Sequence, residues 1–270
     1  MPTDLDRLLE EAERQPFEGW DFSWLEGRMR VEPLPWDFEA LASAHARQSP
    51  DLLDMGTGGG ERLSRLMGRP ARTVATEAWA PNVPVAGRRL LPLGIGVVQD
   101  EGAPDNTSQG AETSPRRFQG RLPFRGASFH LVTNRLEAFV ASEVARVLAP
   151  GGVFLTQQID NDWARGYYRL LGLPAPPRPP IRWALKLAVA QVEAAGLEVV
   201  ARGVGDEGHA YLDVGALAWY LKVIPWAIPG FSIERFRPRL AQLHAQILSD
   251  GPLTVSVPHF WLEARRRAYG

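Results

Sequence analysis

Strand-like apolar segments alternate with helical segments through the first half of the chain, and this order restricts the possible folds more than any other feature. The predicted strands are the segments LLDM, RTVATE, IGVVQD, SFHLVTNR and VFLTQQ. Helical patterns of about ten residues separate several of them, and strands joined in this way pair in parallel through right-handed crossovers. The sequence therefore predicts an α/β fold with helices on both faces of a mostly parallel sheet.

The second half continues the pattern. Residues 185–195 have helical spacing and end at Gly196, and residues 197–203 follow as a sixth predicted strand. Asp213 and Ser232 are typical N-caps for two further helices. The last predicted strand, residues 253–266, contains Pro258. Because proline donates no backbone hydrogen bond, we expect an edge, a strand end or a bulge there.

Three segments do not fit the alternation. Residues 101–121 are polar and rich in Gly, Ser and Pro, which predicts a long loop, and residues 172–180 form a Pro-rich connector. Residues 1–47 contain an amphipathic helix and three tryptophans, and we expect them to form a lid or a packing arm. The main domain is therefore predicted over 48–270, with substrate-side helical additions within 205–250.

Composition excludes several classes of function. The 270 residues contain no cysteine, so disulfides, thiolate zinc sites and a cysteine nucleophile are absent. A net charge of −1 favours neither nucleic acid nor an anionic membrane as a partner. The N-terminal sequence is charged, and no apolar run reaches the ~18 residues of a membrane span. We expect a soluble, cytoplasmic protein with no metal ion, and the sequence leaves the oligomeric state open.

The segment DMGTGGGERL, which begins at Asp54, is the main candidate for a ligand-binding loop. The dinucleotide pattern G-x-G-x-x-G requires a sixth-position glycine, but counting from Gly56 that position is Glu61. Alternating glycines instead allow the backbone to approach a ligand closely. Residues 61–67, ERLSRLM, follow with helical spacing, so we expect a helix whose N-terminus offers free N–H groups to a carboxylate. Glu77 ends the next predicted strand and is placed to accept hydrogen bonds from ribose hydroxyls. This combination indicates a nucleoside that carries a small zwitterion rather than a pyrophosphate.

These segments together resemble the class I S-adenosylmethionine-dependent methyltransferases. LLDMGTGGGERL is similar to their first motif, VATEAW to the second, LPFRGASFHLVTNR to the fourth-strand motif, and EVARVLAPGGVFLTQQ to the helix and strand that follow. The resemblance covers residues 50–160. It implies a Rossmann-like three-layer αβα sandwich with a seven-stranded, mostly parallel sheet, in which the last strand is antiparallel and lies beside the fifth.

The resemblance also assigns S-adenosyl-L-methionine as the cofactor. The residues it implies for cofactor binding are Asp54, Gly56, Thr57, Gly58, Gly60, Glu77, Ala78, Trp79, Gln99, Asp100 and Asn134. The glycines and Asp54 would hold the methionine part, and Glu77 the ribose. Asp100, with Gln99, would lie near the adenine amino group. The 101–121 insertion separates Asp100 from the following motif, so Asp105 is an alternative for that position.

Methyl transfer to a small-molecule acceptor by in-line displacement is the predicted function, because the charge balance makes nucleic acid an unfavourable partner. Asn134 is the first candidate for a catalytic residue, because it ends the fourth predicted strand with Arg135, where the resemblance implies contacts with the methionine part and the acceptor. His209 is the second, as a general base, although a lone histidine in such a context is more often structural. An RNA methyltransferase, a non-catalytic cofactor-binding sensor or scaffold, and a nicotinamide dehydrogenase remain as alternatives.

Overall fold

An eight-stranded mixed sheet organises the protein, and the computed structural model describes residues 4–107 and 120–268. Residues 108–119 of the predicted 101–121 loop lie outside the described residues. The strands are β1 (Met29–Glu32), β2 (Asp51–Met55), β3 (Arg72–Glu77), β4 (Gly96–Gln99), β5 (Phe129–Arg135), β6 (Leu148–Ile159), β7 (Leu197–Tyr211) and β8 (Leu253–Arg266).

The strand order is β1-β7-β8-β6-β5-β2-β3-β4. Strands β6, β5, β2, β3 and β4 pair in parallel, as the alternation predicted. Strand β8 runs antiparallel between β6 and β7, and β1 runs antiparallel along β7. The carboxyl ends of β2, β3, β4 and β5 therefore meet at one edge of the sheet, where α/β folds bind ligands.

Eight helices accompany the sheet within the described residues. They are α1 (Asp4–Arg14), α2 (Phe38–Ala46), α3 (Asn82–Leu90), α4 (Ala141–Val147), α5 (Arg165–Leu170), α6 (Leu185–Ala194), α7 (Val214–Val223) and α8 (Ile233–Asp250). Side chains on β2 alternate between the faces, so that Leu52 packs with residues of α2 and α3 and Leu53 with residues of α4 and α6. This is the predicted three-layer arrangement.

The predicted seven-stranded sheet has one strand too few. Residues 29–32 form β1, which pairs with residues 208–211 of β7. Its sequence, MRVE, is short and has three exposed residues, so it shows no alternation that would identify it. The strand forms because β7 extends to Tyr211 and offers a free edge. This edge exists only in the folded protein, so the local sequence of residues 29–32 does not predict the strand.

The prediction of a helix over residues 61–67, after the glycine loop, is also wrong. Only a 3₁₀ turn, Leu63–Arg65, forms there. The Ser64 hydroxyl donates a hydrogen bond to the Glu61 carbonyl at 2.9 Å, which competes with helical backbone bonding. Arg89 holds the Glu61 carboxylate at 2.5 Å, and this fixes the turn against α3. The loop consequently lacks the helix N-terminus expected to follow it.

The N-terminal segment packs on the second half of the chain. Leu8, Leu9 and Ala12 of α1 are buried in a core cluster that also contains Leu217 and Trp219 of α7. Within the predicted 205–250 additions, the first seven residues continue β7 and the helices α7 and α8 follow. In the described part of the chain, no helix combines the length and the apolar character needed to cross a membrane.

Candidate functional site

The glycine loop and Glu77 are joined by hydrogen bonds at the carboxyl ends of β2 and β3. Gly58 donates its backbone N–H to Glu77 Oε2 at 2.7 Å, and Trp79 N–H binds Glu77 Oε1 at the same distance. Gly56 and Gly58 have φ values of +67° and +63°, a region that favours glycine. Both the loop and the acid are predicted from the sequence, and in the structure they are in direct contact.

Side chains from other segments occupy the space that the glycines leave free. A Cβ atom at Gly56 would overlap the Glu137 side chain, and one at Gly58 would overlap Trp20. At Gly60 a Cβ atom would lie 2.7 Å from Leu90 Cγ, so this glycine permits close packing on α3. Any ligand that approaches Gly56 or Gly58 must therefore displace Glu137 or Trp20.

A narrow cleft lies beside the loop, and its volume of about 10 Å³ is room for about one water molecule. Its lining residues are Met55, Gly56, Thr76, Ala78, Asp100, Gly102, Ala103, Gly120, Leu122, Glu137 and Ala138. The described ends of the 101–121 segment thus form one wall. Of the residues predicted for the cofactor, Gly56, Ala78 and Asp100 line this cleft.

Three carboxyl groups give the cleft an acidic character. Burial, together with the negative charges of Glu77 and Asp100, raises the pKa of Glu137 to about 7. Burial also raises the pKa of Glu77 and that of Asp100, against the backbone hydrogen bonds that favour their ionised forms. Clustered acids repel one another, and a bound cation would relieve this repulsion. The cleft therefore favours a positively charged ligand.

Unsatisfied polar atoms concentrate at the same edge of the sheet. Among the residues that the structure describes, four buried side-chain polar atoms have no hydrogen-bond partner. Three of them, Thr57 Oγ1, Asn134 Nδ2 and Arg135 Nε, belong to residues at the carboxyl ends of β2 and β5, and the fourth is Gln191 Oε1. Because buried polar groups in folded proteins are usually paired, this concentration indicates a place where a ligand supplies the partners.

Other residues predicted for the cofactor take different positions. The Asp54 carboxylate accepts a hydrogen bond from the Thr133 hydroxyl at 2.7 Å, and burial raises its pKa. Gln99 is exposed at the end of β4, and Trp79 is 66% exposed, so neither lines the cleft.

Asn134 is fully buried between β2 and β6. Its Oδ1 accepts hydrogen bonds from Thr156 Oγ1 at 2.8 Å and Gln158 Nε2 at 2.6 Å. Its cross-strand partners are Met55 and Thr156, so its side chain projects from the sheet face opposite to that of Arg135. Only its Nδ2 is left for a ligand, and the proposed catalytic role of Asn134 stays a prediction.

His209 belongs to a buried network rather than to the cleft lining. Its Nε2 contacts Glu207 Oε2 at 2.9 Å, and its Nδ1 contacts the Tyr167 hydroxyl at 2.9 Å. That hydroxyl also contacts the Tyr211 hydroxyl at 2.9 Å. Burial raises the pKa of both tyrosines well above 10, so they stay protonated. Both ring nitrogens of His209 are engaged, which favours a positioning role for this histidine.

His259 is a candidate base that the sequence analysis did not identify. Its Nδ1 lies 2.9 Å from the Val257 carbonyl oxygen, which can only accept, so Nδ1 carries the proton. Burial lowers the pKa of His259, so its ring is neutral at pH 7 and Nε2 has a free lone pair. Leu253, Val255 and Val257 alternate toward the core, and this period of two also predicts a buried position for residue 259.

The three N-terminal tryptophans mainly pack within the protein. Trp24 lies against Trp219, with ring centroids 5.2 Å apart, and carries the Arg28 guanidinium 3.8 Å above its ring. Trp36 donates its indole N–H to Gln157 Oε1 at 2.9 Å. Trp20 covers the glycine loop and is 42% exposed, so it alone combines packing with a lid position.

Comparisons with known proteins show similarity in structure but not in sequence. No protein-family model matches the chain, and no curated protein matches it. A protein of Bacillus halodurans C-125 named a "putative methyltransferase" is 18% identical, with a TM-score of 0.55, over 85% of this chain and 98% of that one. The YcgJ protein of Bacillus subtilis gives 18% identity and a TM-score of 0.53 over the same shares.

A functionally unknown protein of Deinococcus radiodurans R1 is 15% identical, with a TM-score of 0.52, over 88% of this chain and 91% of that one. At these identities the similarity concerns the fold. The parallel β6-β5-β2-β3-β4 region, the antiparallel β8 and the glycine loop that follows β2 agree with the motifs identified in the sequence. The chain has the class I S-adenosylmethionine-dependent methyltransferase fold.

Proposed function

We propose that this protein binds S-adenosyl-L-methionine and transfers its methyl group to a small-molecule acceptor by in-line displacement. The hydrogen bond between Gly58 N–H and the buried Glu77 carboxylate carries the proposal, because it fixes the glycine loop and the acid together at the ligand-binding edge of the sheet. The acidic cleft supports it as well, since the cofactor carries a sulfonium and an ammonium group. The proposed setting is the cytoplasm.

The residues at this edge fit the cofactor in chemistry. Glu77 keeps lone pairs for ribose hydroxyls, because each of its oxygens accepts one backbone N–H in the described structure. Glu137 offers a carboxyl group over Gly56, and Asp100 lines the same cleft. Thr57 Oγ1 is buried with no well-aligned hydrogen bond in the described residues, although it lies close enough to Asp54 to favour the ionised form of that carboxyl group. Glu137 and Trp20 would move to admit the cofactor.

When bound, the cofactor supplies an activated methyl group on a positively charged sulfur. The task of the protein is then to orient the acceptor and exclude water, which can contribute on the order of 7–11 kcal/mol for well-aligned reactants. An acceptor that must lose a proton requires a base, and His259 Nε2 offers a free lone pair. The His209–Tyr167 network would hold the neighbouring Glu207 in place.

Calorimetric titration with S-adenosyl-L-methionine tests the proposal. We expect the wild-type protein to bind and Glu77→Gln to bind at least tenfold more weakly, because the neutral amide is a poorer acceptor for ribose hydroxyls. Glu234→Gln, at an exposed position on α8, is the matched control and should bind like the wild type. A thermal melt checks that each variant is folded. Absence of binding by the wild-type protein, or equal binding by Glu77→Gln, would refute the cofactor assignment.

A second candidate is a sensor or scaffold that binds the same cofactor without transferring its methyl group. The positions of Trp20 and Glu137 favour it, because both side chains fill the space over the glycine loop. Tight cofactor binding without turnover across a broad panel of acceptors would support this candidate. If the acceptor is instead RNA, the protein should bind RNA with an affinity that falls steeply as the salt concentration rises.

A further inference from the structure

Arg135 is partly buried at the end of β5, and within residues 4–107 and 120–268 its guanidinium group has no carboxylate partner. Its Nε has no hydrogen-bond partner, and no carboxylate within 4–107 or 120–268 lies within 4.0 Å of the group. Other partly buried arginines are paired: Arg28 with Asp213 at 2.7 Å, and Arg146 with Glu143 at 2.6 Å. Arg135 is therefore different from the arginines that stabilise the fold.

The carboxylates around Arg135 are too distant to form an ion pair with it. Burial lowers its pKa to about 9, and the positive charge of Arg62 adds to this effect. Glu207 and Glu39 act in the opposite direction, but neither forms an ion pair with it. Burying a cation without a partner costs free energy, which a bound anion would recover.

Arg135 ends β5 at the same edge of the sheet as the candidate cofactor cleft, but its side chain projects from the sheet face opposite to that of Met55, which lines the cleft. It lies two residues before Glu137 in the sequence, and the Glu137 side chain covers Gly56. Gln157 pairs with Arg135 on one side and with Trp261 on the other, so these three side chains project from the same face of the sheet. Trp36 caps this row through its hydrogen bond to Gln157 Oε1. An anion at Arg135 would thus sit at the ligand-binding edge of the sheet, in the row of side chains that ends at Trp261 and Trp36.

We propose that Arg135 binds a carboxylate group of the methyl acceptor, so that the substrate is a small carboxylic acid. A guanidinium matches a carboxylate through two parallel hydrogen bonds. One arginine with Glu207 and Glu39 in its surroundings suits a single negative charge better than the two of a phosphate. This inference rests on the proposed function, because it concerns the acceptor of the same site.

The test compares matched acid and amide probes. Acetate and acetamide, benzoate and benzamide, and indole-3-acetate and indole-3-acetamide are titrated into the protein saturated with S-adenosylhomocysteine. We expect at least one acid to bind tenfold or more tightly than its amide. In Arg135→Met that preference should disappear. Arg30→Met removes the same charge from an exposed position on β1 and should leave the preference unchanged.

The melting temperature of Arg135→Met distinguishes a ligand-binding role of Arg135 from a structural role. Because Arg135 has no partner in the described residues, Arg135→Met should melt at the same temperature as the wild type or at a higher one. No acid preference in any of the three pairs, or the same preference in Arg135→Met, would overturn the proposal. S-adenosylhomocysteine binding is measured first, so failure of the cofactor assignment is distinguished from failure of the acceptor assignment.

Discussion

Glu137 is the residue whose titration is expected to control ligand binding. Its carboxyl group covers Gly56, and burial with the charges of Glu77 and Asp100 raises its pKa to about 7. A cationic ligand stabilises the ionised carboxylate and lowers this pKa, so binding is coupled to proton release. By the same linkage, the elevated pKa makes the ligand-free protein less stable as the pH rises from about 4.5 to 7.

The affinity for S-adenosyl-L-methionine should therefore increase as the pH rises from 5.5 to 7.5, by at most about tenfold per pH unit for one proton. Glu137→Gln should bind with a smaller slope, because the amide does not titrate. Calorimetric titrations at several pH values give the measurement, with Glu234→Gln as the control. An affinity that falls as the pH rises, or an unchanged slope in Glu137→Gln, would contradict this role.

Residues that belong to the same sequence motif do not all line the cleft. Gly56, Ala78 and Asp100 line the cleft, whereas Trp79 is exposed beside the loop. Spacing along a strand identifies the end at which a side chain emerges, but its rotamer and neighbours decide where it points. Glu137 was missed for this reason, since its position over Gly56 depends on a turn at Leu136, which has a φ of +61°.

At the scale of elements, Asp213 joins helix α7 to the N-terminal segment. Its Oδ1 accepts a hydrogen bond from Ala216 N at 2.8 Å, the N-cap that the sequence predicted. Both of its carboxylate oxygens also accept from Arg28, at 2.7 and 2.8 Å. Cap and ion pair are lost together if the carboxylate is removed.

We expect Asp213→Ala to lower the free energy of unfolding by about 2–4 kcal/mol, the sum of a cap and a partly buried charge-assisted pair. Ser232→Ala removes a single cap bond of 3.2 Å from α8 and should cost about 1 kcal/mol. Denaturant unfolding of both variants measures the difference. Equal losses would show that the Arg28 pair contributes nothing.

Pro258 is accommodated in β8 because of where the neighbouring strand β6 ends. Strand β8 is central in the sheet, yet the proline fits because β6 ends at Ile159, opposite His259. The Pro258 carbonyl accepts a hydrogen bond from Asp160 N–H at 3.0 Å, and no further β6 residue requires a donor there. Of the edge, strand end or bulge that the sequence predicts, the structure has an edge, because residues 253–258 of β8 have no partner in β6 while their pairing with β7 continues.

At the scale of the whole molecule, the N-terminal segment shares its core with the second half of the chain. Leu9 is 2% exposed and packs in the cluster that contains Leu217, Trp219 and Tyr211. This packing predicts that residues 1–47 unfold together with the rest of the protein rather than as an independent arm.

Leu9→Ala should cost about 2–5 kcal/mol, the usual range for a buried leucine, and should shift one cooperative transition. Leu248→Ala, at a position that is 74% exposed, is the matched control and should change the stability by less than about 0.5 kcal/mol. Far-ultraviolet circular dichroism and tryptophan fluorescence follow the melts. Transitions that separate between the two probes in Leu9→Ala would identify an independently unfolding segment.

The sequence by itself determined the parallel core of the sheet, the glycine loop and the acid at Glu77. These features depend on local periodicity and on residue types at fixed spacing, which a single chain displays directly. The tertiary structure alone decided that residues 29–32 form an added strand, that residues 61–67 do not form a helix, and that Arg135, Glu137 and His259 surround one edge of the sheet. Such features arise from contacts between residues that are distant in sequence, where burial and charge act only after the chain has folded.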